Sequence, residues 1–273
     1  KPEYGIISIN LPKTISRVKI ENIVNGFKKA CKEYGISIIG GDTNEGKEIV
    51  FNVCIFGNSN SIVTRKGSKK GDLVFVTGPF GYTSIGLNIL IKKKKEKSKF
   101  VEKSIKSVIN PKPKLSFGLK NKKYFSSSMD SSDGLSTTLN EMAKQSGKKF
   151  IVNNIPSNKD LEDYAKKRNL NLNSIIFNRG EEYEFIFTIP AKHKKTIMKN
   201  SKVLKTPIIE IGYVTSKCFS PRLKKNIAYA FVPIEYTNKG CKFFINSPYG
   251  ELESVVDDLP FWDPKKQIPV GKI

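Results

Sequence analysis

The amino-acid sequence predicts an α/β or α+β fold. Short apolar segments of strand length alternate with segments whose apolar residues recur at helical spacing, and this alternation continues through most of the 273 residues. Glycine and proline clusters separate the segments, as expected at turns. The length is sufficient for one large or two medium domains with a sizeable hydrophobic core.

The first part of the chain begins with a predicted strand at residues 6–11. A helix follows from about Ser16, and Gly35 is a suitable residue for its C-terminal end. A strand at residues 36–39 runs into Gly-Gly-Asp-Thr at residues 40–43, and another strand covers residues 49–56. The polar residues 57–61 mark a boundary, so we expect the remainder of an N-terminal domain at residues 1–62.

A second series of strands and helices begins at Asp72. The predicted strands are residues 73–77, 126–129, 150–152, 183–189 and 208–213, and the predicted helices begin near residues 83, 135, 159 and 193. A lysine-rich stretch and the proline-containing residues 110–114 form a predicted linker. We expect a C-terminal α/β domain at residues 63–244, and an irregular tail at residues 245–273 because prolines recur there.

The charge balance, +23 from 48 basic and 25 acidic residues, raises the question of nucleic-acid binding. Only five of the basic residues are Arg, which is the residue that reads bases and phosphates bidentately. The lysines are spread along the chain, which is typical of a solvated surface. The sequence therefore favours another function, and a basic nucleic-acid-binding or non-catalytic protein is kept as the alternative from a different class.

Two absences in the sequence lead to an expectation about the compartment. No apolar run reaches the roughly 20 residues needed to span a bilayer, so we expect no membrane partner. The first residue is Lys1 and no signal segment follows it, which leads us to expect a fragment of a longer cytoplasmic protein. The single His193 lies in a polar segment, which disfavours acid–base catalysis by histidine.

Two acidic motifs could hold a metal ion. In Gly-Gly-Asp-Thr the glycines let the backbone approach a ligand and Asp42 offers a hard oxygen, although the motif also suits a simple turn. In Asp-Ser-Ser-Asp-Gly at residues 130–134, Asp130 and Asp133 can converge on Mg²⁺. Ser132 can meet a phosphate at the start of the next helix, and a plain helix cap is the alternative there.

Two further motifs carry candidate contacts for substrates. Residues 180–184 read Gly-Glu-Glu-Tyr-Glu before an apolar strand, where alternation would point Glu182 and Glu184 to one face and Tyr183 to the other. A solvated strand edge would have the same composition. Arg65, in a basic segment with Gly67 and Gly71, is either a phosphate clamp or an ordinary surface charge.

The order of these motifs resembles the thiamine-monophosphate kinase family. The series is Gly-Gly-Asp-Thr, Thr-Arg-x-Gly-x-x-x-Gly-Asp, Val-Thr-Gly-x-x-Gly, Asp-x-Ser-Asp-Gly-Leu and Gly-Glu-x-Tyr-Glu-Phe, and the resemblance covers residues 1–244. It implies the two-domain architecture of the aminoimidazole-ribonucleotide synthetase superfamily, with the first domain incomplete here. It also implies a homodimer built through a β-barrel of the N-terminal domains.

The resemblance further implies site residues and cofactors. Mg²⁺ would be bound by Asp42, Asp130 and Asp133, and ATP would contact Gly41, Asp42, Arg65 and Ser132. Glu181 would contact thiamine monophosphate. The family's closing motif has an aromatic residue where this chain has Cys241, so Cys241 is the second expected substrate-side position.

The implied reaction is direct transfer of the ATP γ-phosphoryl group to thiamine monophosphate, giving thiamine diphosphate. Several Mg²⁺ ions would neutralise the two polyanions, so no side chain need act as a nucleophile or strong base. Within the same superfamily, a selenophosphate-synthetase-like or hydrogenase-maturation-like enzyme is the alternative. A C-terminal Cys, which the latter would require, is absent from the terminal Val-Gly-Lys-Ile.

Overall fold

The computed structural model describes residues 1–93, 96–178, 180–216, 219–220, 225–226, 234–247 and 250–257. The chain forms two compact units, Lys1–Thr215 and Ser216–Ile273. Within the described residues, no helix combines the length and apolar character that crossing a membrane requires.

A three-stranded sheet opens the first unit. Its strands are β1 (Pro2–Leu11), β2 (Ser37–Glu45) and β3 (Val50–Gly57), in the order β2-β1-β3. β1 is parallel to β2 and antiparallel to β3. The sequence predicted that β2 ends before Gly-Gly-Asp-Thr. That boundary is wrong, because residues 40–43 continue the backbone pairing with β1 and lie inside the strand.

Helix α1 (Arg17–Tyr34) connects β1 to β2, as the sequence predicted. The Ser16 hydroxyl accepts a hydrogen bond from the Lys19 N–H, which satisfies one of the unpaired donors at the helix start. Gly35 ends the helix in the left-handed conformation with φ of 64°, a conformation that glycine adopts without steric cost. Both ends of α1 are therefore set by single residues that can be recognised in the sequence.

A five-stranded sheet forms the centre of the first unit. Its strands are β4 (Asp72–Val76), β5 (Ser127–Asp130), β6 (Lys148–Val152), β7 (Phe185–Pro190) and β8 (Ile209–Ser216), in the order β5-β7-β4-β8-β6. β4 is antiparallel to both of its neighbours, and β5 is antiparallel to β7. The predicted fold thus takes the α+β form, with antiparallel pairing between these strands.

Seven helices follow α1 among the described residues: α2 (Tyr82–Ile91), α3 (Lys99–Ile109), α4 (Leu115–Asn121), α5 (Leu135–Ser146), α6 (Lys159–Lys167), α7 (Leu172–Phe177) and α8 (Lys194–Val203). The sequence analysis missed α3, α4 and α7, and placed a linker where α3 lies. α3 buries Val101 and Ser104, whereas its lysines lie toward solvent. Those lysines made an amphipathic helix resemble a charged linker.

Alternating residues of the central strands build a hydrophobic core on each face of this sheet. Val74 and Val76 pack with apolar residues from helices α2, α3, α5, α6 and α7. Phe75, between them in sequence, packs on the other face with Phe117 of α4 and Ile197 of α8. Because both faces are covered, the ends of the strands are the part of this sheet that remains open for chemistry.

The residues of the second unit that the structure describes include two short hairpins. One pairs β9 (Phe219–Ser220) with β10 (Lys225–Asn226), and the other pairs β11 (Lys242–Ser247) with β12 (Gly250–Val255). The prediction of an irregular tail from residue 245 is wrong across this second hairpin, where the backbone pairs from Lys242 with Val255 to Ser247 with Gly250. The recurring prolines suggested an irregular chain, but the pairing of β11 with β12 shows regular structure on both sides of residues 248–249.

Candidate active site

The loop between β5 and α5 carries the first group of predicted site residues. Asp130 is the last residue of β5, and Gly134, with φ of 99°, precedes the first residue of α5. No side-chain cap closes this helix start, so its N–H groups remain available to an anion. Asp130 and Asp133 are exposed, and neither forms an ion pair with any residue that the structure describes.

Residues 180–184, which we call the substrate segment, pack directly against this loop. The N–H of Glu181 donates to the Ser132 carbonyl at 2.8 Å, and the N–H of Tyr183 donates to the Ser131 carbonyl at 3.1 Å. The predicted strand from Tyr183 is wrong at its start, since β7 begins at Phe185. Glu181 and Tyr183 have φ of 71° and 53°, which are unusual for residues with a side chain and turn the segment away from strand geometry.

Tyr183 brings the acidic residues of the loop and the segment together. Its hydroxyl donates a hydrogen bond to Glu181. This bond raises the pKa of Tyr183, and burial and the negative charges of Asp130 and Asp133 raise it further. Asp130, Asp133 and Glu181 therefore produce a shared negative potential at one exposed position. Ser131, which follows Asp130 in the chain, has a buried hydroxyl with no hydrogen-bond partner among the described residues.

Glu182 and Glu184 point away from this cluster and into the turn between β4 and α2. Burial raises the pKa of Glu182 to about 7, although its carboxylate accepts hydrogen bonds from the Gly81 N–H and from the N–H and hydroxyl of Thr83. Burial also raises the pKa of Glu184, and the Thr77 hydroxyl and the Lys114 charge partly offset this rise. The predicted alternation of Glu182 and Glu184 against Tyr183 is therefore observed, without a strand.

Sequence reasoning gave neither Glu182 nor Glu184 a place in the site. The available signal was the presence of three glutamates within four residues just before an apolar strand. Carboxylates are rarely buried, so those that a strand start would bury deserve a role. Their partners lie about 70 to 107 residues earlier in the chain, at Thr77, Gly81 and Lys114. Spacing in the sequence could not reveal these partners.

Arg65 lies in a segment tied to β5 and its neighbour β7. The Arg65 guanidinium is 3.9 Å from Glu141 on α5, and its side chain is half exposed. The N–H of Ser128 donates to the Thr64 carbonyl at 3.0 Å. Because Ser128 is two residues before Asp130, this bond fixes the backbone next to Arg65 relative to the strand that carries a predicted metal ligand.

A buried ring of three hydroxyls strengthens the same connection. Ser68 lies 2.6 Å from Ser127 and 3.2 Å from Thr188, and Ser127 lies 2.9 Å from Thr188, measured between the side-chain oxygens. All three residues are buried. They link the segment after Arg65 to β5 and to β7 at once.

Gly41 and Asp42 line a groove between the first sheet and α1. The groove has a volume of about 840 Å³, and Ile7, Phe27 and Lys28 also contribute to its walls. Asp42 accepts hydrogen bonds from the Thr43 N–H at 2.8 Å and from the Asn44 side chain at 2.9 Å. A side chain at position 41 would place its Cβ 1.9 Å from the Ile7 carbonyl oxygen, so only glycine fits there.

The structure brings four of the predicted site residues together, since Asp130, Ser132, Asp133 and Glu181 are adjacent. Asp42 lies in the other sheet of the same unit, and Cys241 belongs to the second unit. Within the described ranges, no three His, Cys, Asp or Glu side chains converge on one metal position. The assignment of Asp42, Asp130 and Asp133 to a shared metal cluster thus stays a prediction.

The donor set at residues 130–133 nevertheless fits a hard cation. Mg²⁺ prefers carboxylate oxygens and retains several waters, so one or two protein ligands suffice when a phosphate supplies others. Asp130 and Asp133 are exposed carboxylates whose charges already raise the pKa of Tyr183. A bound cation would relieve this repulsion.

Two family models match parts of the chain. Residues 1–58 match the model described as AIR synthase related protein, N-terminal domain. Residues 185–263 match the model described as glycine cleavage T-protein C-terminal barrel domain. The first match ends between β3 and β4, where the chain passes from the first sheet to the second.

Curated proteins and solved structures give a consistent comparison. The thiamine-monophosphate kinase of Nitrosopumilus maritimus is 66% identical over 216 residues, which cover 79% of this chain and 69% of that protein. The crystal structure of thiamine monophosphate kinase from Aquifex aeolicus has a TM-score of 0.71 at 29% identity, covering 79% of this chain and 72% of that one. A structure described as AaThiL complexed with AMPPCP and TMP has a TM-score of 0.70 at 29% identity, covering 79% and 68%.

Proposed function

Because the chain belongs to the thiamine-monophosphate kinase family, we propose that it transfers the γ-phosphoryl group of ATP to the phosphate of thiamine monophosphate, giving thiamine diphosphate and ADP. The observation that carries this proposal is the packing of the substrate segment against the β5–α5 loop. This packing places a predicted substrate contact, Glu181, beside the predicted metal and ATP contacts at residues 130–133. The relative solved with AMPPCP and TMP supports the same pair of substrates.

The β5–α5 loop would hold the phosphates. Asp130 and Asp133, with Asp42, would bind Mg²⁺, which when bound neutralises the negative charge of the two substrates. Ser132 and the uncapped N–H groups at the start of α5 would contact ATP. Arg65 would add a charge-assisted contact to ATP, and Gly41 would let the nucleotide approach β2 closely.

The residues of this chain would position the two substrates relative to each other. Two polyanions that repel each other must be brought into line, and holding them in the right geometry supplies much of the rate enhancement. Glu181 would fix thiamine monophosphate through its thiamine part, on which the thiazolium ring carries a positive charge. Cys241 would take the position where the family has an aromatic residue.

The remaining expectations about organisation are also proposals. We assign residues 1–62 to the N-terminal ATP-binding and dimerisation domain and residues 63–244 to the C-terminal domain. The β11–β12 hairpin crosses the boundary at residue 244, so residues 245–255 are not assigned to a separate tail. Apolar side chains on the first sheet, such as Ile39, Val53 and Ile55, are more than half exposed, which supports a homodimer that covers them. A cytoplasmic location is consistent with the kinase reaction, because ATP is available there.

The proposed function is tested by measuring thiamine diphosphate formation with Mg·ATP and thiamine monophosphate. We expect Asp133→Asn to lower turnover by at least about 100-fold, as removal of one charge-stabilising group typically does. The melting temperature should change little, because this carboxylate is exposed and has no ion-pair partner among the described residues. Glu102→Gln is a control for the loss of one exposed negative charge, because Glu102 lies on α3 and has no ion pair among the described contacts. Near-normal turnover of Asp133→Asn at limiting Mg²⁺ would contradict the assignment.

A further inference from the structure

Glu182 replaces a missing helix cap. Gly81, in the left-handed region with φ of 106°, is the residue just before α2 and has no side chain that could cap the helix. The Glu182 carboxylate, from a segment about 100 residues later, accepts hydrogen bonds from the Gly81 N–H and from the N–H and hydroxyl of Thr83. The Thr83 hydroxyl is also 3.3 Å from the Gly180 carbonyl. One end of the substrate segment is thereby tied to the start of α2.

Glu184 ties the other end of the substrate segment to the same turn and to a second element. It accepts a hydrogen bond from the Thr77 hydroxyl at 2.6 Å and pairs with Lys114 at 3.0 Å. Only 16% of the Glu184 side chain and 25% of the Lys114 side chain are exposed, so the pair is largely withdrawn from solvent. At Gly78 a Cβ would lie 3.2 Å from the Glu184 carboxylate, which shows how closely the turn surrounds this group.

The opposite side of the substrate segment bonds the β5–α5 loop through backbone groups alone. Three such bonds join them, from Glu181 to Ser132, from Tyr183 to Ser131 and from Ser131 to Glu184. Gly180 is also tightly enclosed, since a Cβ there would be 2.5 Å from the Ser132 carbonyl oxygen. The segment therefore fills the space between the β4–α2 turn and the loop that carries Asp130 and Asp133.

The two residues that are not held by the turn have strained backbones. Glu181 and Tyr183 both have positive φ, and both side chains are exposed on the side of Asp130 and Asp133. Such a conformation persists only when the surrounding structure enforces it. Here the alternating carboxylates of Glu182 and Glu184 supply the enforcing contacts.

We propose that Glu182 and Glu184 are positioning residues, which hold the substrate segment in the strained conformation that presents Glu181 to thiamine monophosphate beside the β5–α5 loop. This inference rests on the proposed function for the role of Glu181. Among the described contacts, Lys114 and Thr77 reach the substrate segment through Glu184, and Thr83 reaches it through Glu182 and the Gly180 carbonyl.

The experiment removes the partners of the two carboxylates and leaves the carboxylates in place. Thr83→Val removes, at nearly constant volume, the hydroxyl that contacts Glu182 and the Gly180 carbonyl, and Lys114→Met removes the cation that pairs with Glu184. Lys112→Met is the matched control, because Lys112 belongs to the same segment but pairs with Glu33 on α1 at 2.8 Å. Lys114→Arg should restore the wild-type values.

Two readouts are needed. In steady-state kinetics, Lys114→Met should raise the KM for thiamine monophosphate about tenfold and that for ATP much less, because a small misplacement of a contact residue weakens its substrate's binding. In hydrogen exchange, the Glu181 and Tyr183 amides should exchange about tenfold faster in both variants, since their bonds to the loop open more often. Lys112→Met should change neither measurement.

The outcomes separate this inference from the proposed function. Unchanged exchange of the Glu181 and Tyr183 amides in both variants overturns the positioning role, whatever the substrate. Faster exchange together with equal changes in the two KM values also overturns the positioning role. Faster exchange together with a loss of kcat that follows the loss of melting temperature does the same, because the carboxylates would then only stabilise the fold. A wild-type protein that does not phosphorylate thiamine monophosphate refutes the proposed function instead, and the exchange result still decides whether the carboxylates hold the segment.

Discussion

Replacing Glu182 by Gln should change how stability depends on pH. The carboxyl has a pKa of about 7 in the folded protein, against an ordinary value of 4.5, and burial is the main cause. The folded state therefore binds this proton more tightly than the unfolded state does. The resulting stabilisation is complete below pH 4.5 and is lost as the pH rises through about 7. Gln cannot ionise, so Glu182→Gln removes this dependence.

The magnitude of this effect follows from the pKa rise. A rise from 4.5 to about 7 corresponds to at most about 3 kcal/mol of stability. Because the side chain is partly exposed, we expect about 1–2 kcal/mol. Between pH 5 and pH 8, the stability of Glu182→Gln relative to wild type should increase by this amount, which corresponds to a relative gain in melting temperature of about 2–4 °C per kcal/mol.

The assay is thermal unfolding of both proteins at pH 5, 6, 7 and 8. Glu21→Gln is the control, because Glu21 is exposed on α1, where its side chain pairs only with the neighbouring Arg17 among the described contacts. Its difference from wild type should stay constant over this range. If the difference between Glu182→Gln and wild type is also constant, burial does not control the ionisation of Glu182, and the reasoning is refuted.

Three further outcomes are expected. Glu181→Gln should raise the KM for thiamine monophosphate more than that for ATP, and equal effects on both would remove Glu181 from the substrate site. Cys241→Trp should preserve or tighten the binding of thiamine monophosphate if the position faces the ring, whereas a loss of stability of about 1–3 kcal/mol would indicate overpacking of this partly buried residue. Gly41→Ala should lower the melting temperature strongly, because its Cβ would meet the Ile7 carbonyl oxygen at 1.9 Å, and Gly40→Ala, where nothing lies within 4 Å, should not.

Local signals in the sequence were sufficient for elements whose ends depend on single residues. Ser16 and Gly35 predicted both ends of α1 because a hydroxyl cap and a left-handed glycine act on the backbone next to them. The Asp-x-Ser-Asp-Gly motif was correctly placed between a strand and a helix for the same reason. The order of the motifs along the chain, compared with that of a known family, then predicted the two-domain fold and the reaction.

Features that depend on distant contacts were missed. The glycines at 40 and 41 were placed after the end of a strand, as a site of close ligand approach or a simple turn. Pairing with β1 keeps them inside the strand, and the close approach to Ile7 is what requires glycine at position 41. Glu182 and Glu184 are held by groups that lie about 70 or more residues earlier in the sequence. No local pattern distinguishes such carboxylates from the solvated edge of a strand.

The ring of Ser68, Ser127 and Thr188 connects the segment after Arg65 to the strand that ends at Asp130 without using any ionised group. Each hydroxyl can donate one hydrogen bond and accept another, so the ring can run in either direction. Acid and base, which change the charge on Glu182 and Glu184, leave such a ring of hydroxyls intact. The segment after Arg65, the proposed ATP contact, is therefore joined to the strand that ends at Asp130 by a connection insensitive to pH. The substrate segment, which carries the proposed thiamine-phosphate contact Glu181, depends instead on carboxylates that respond to pH.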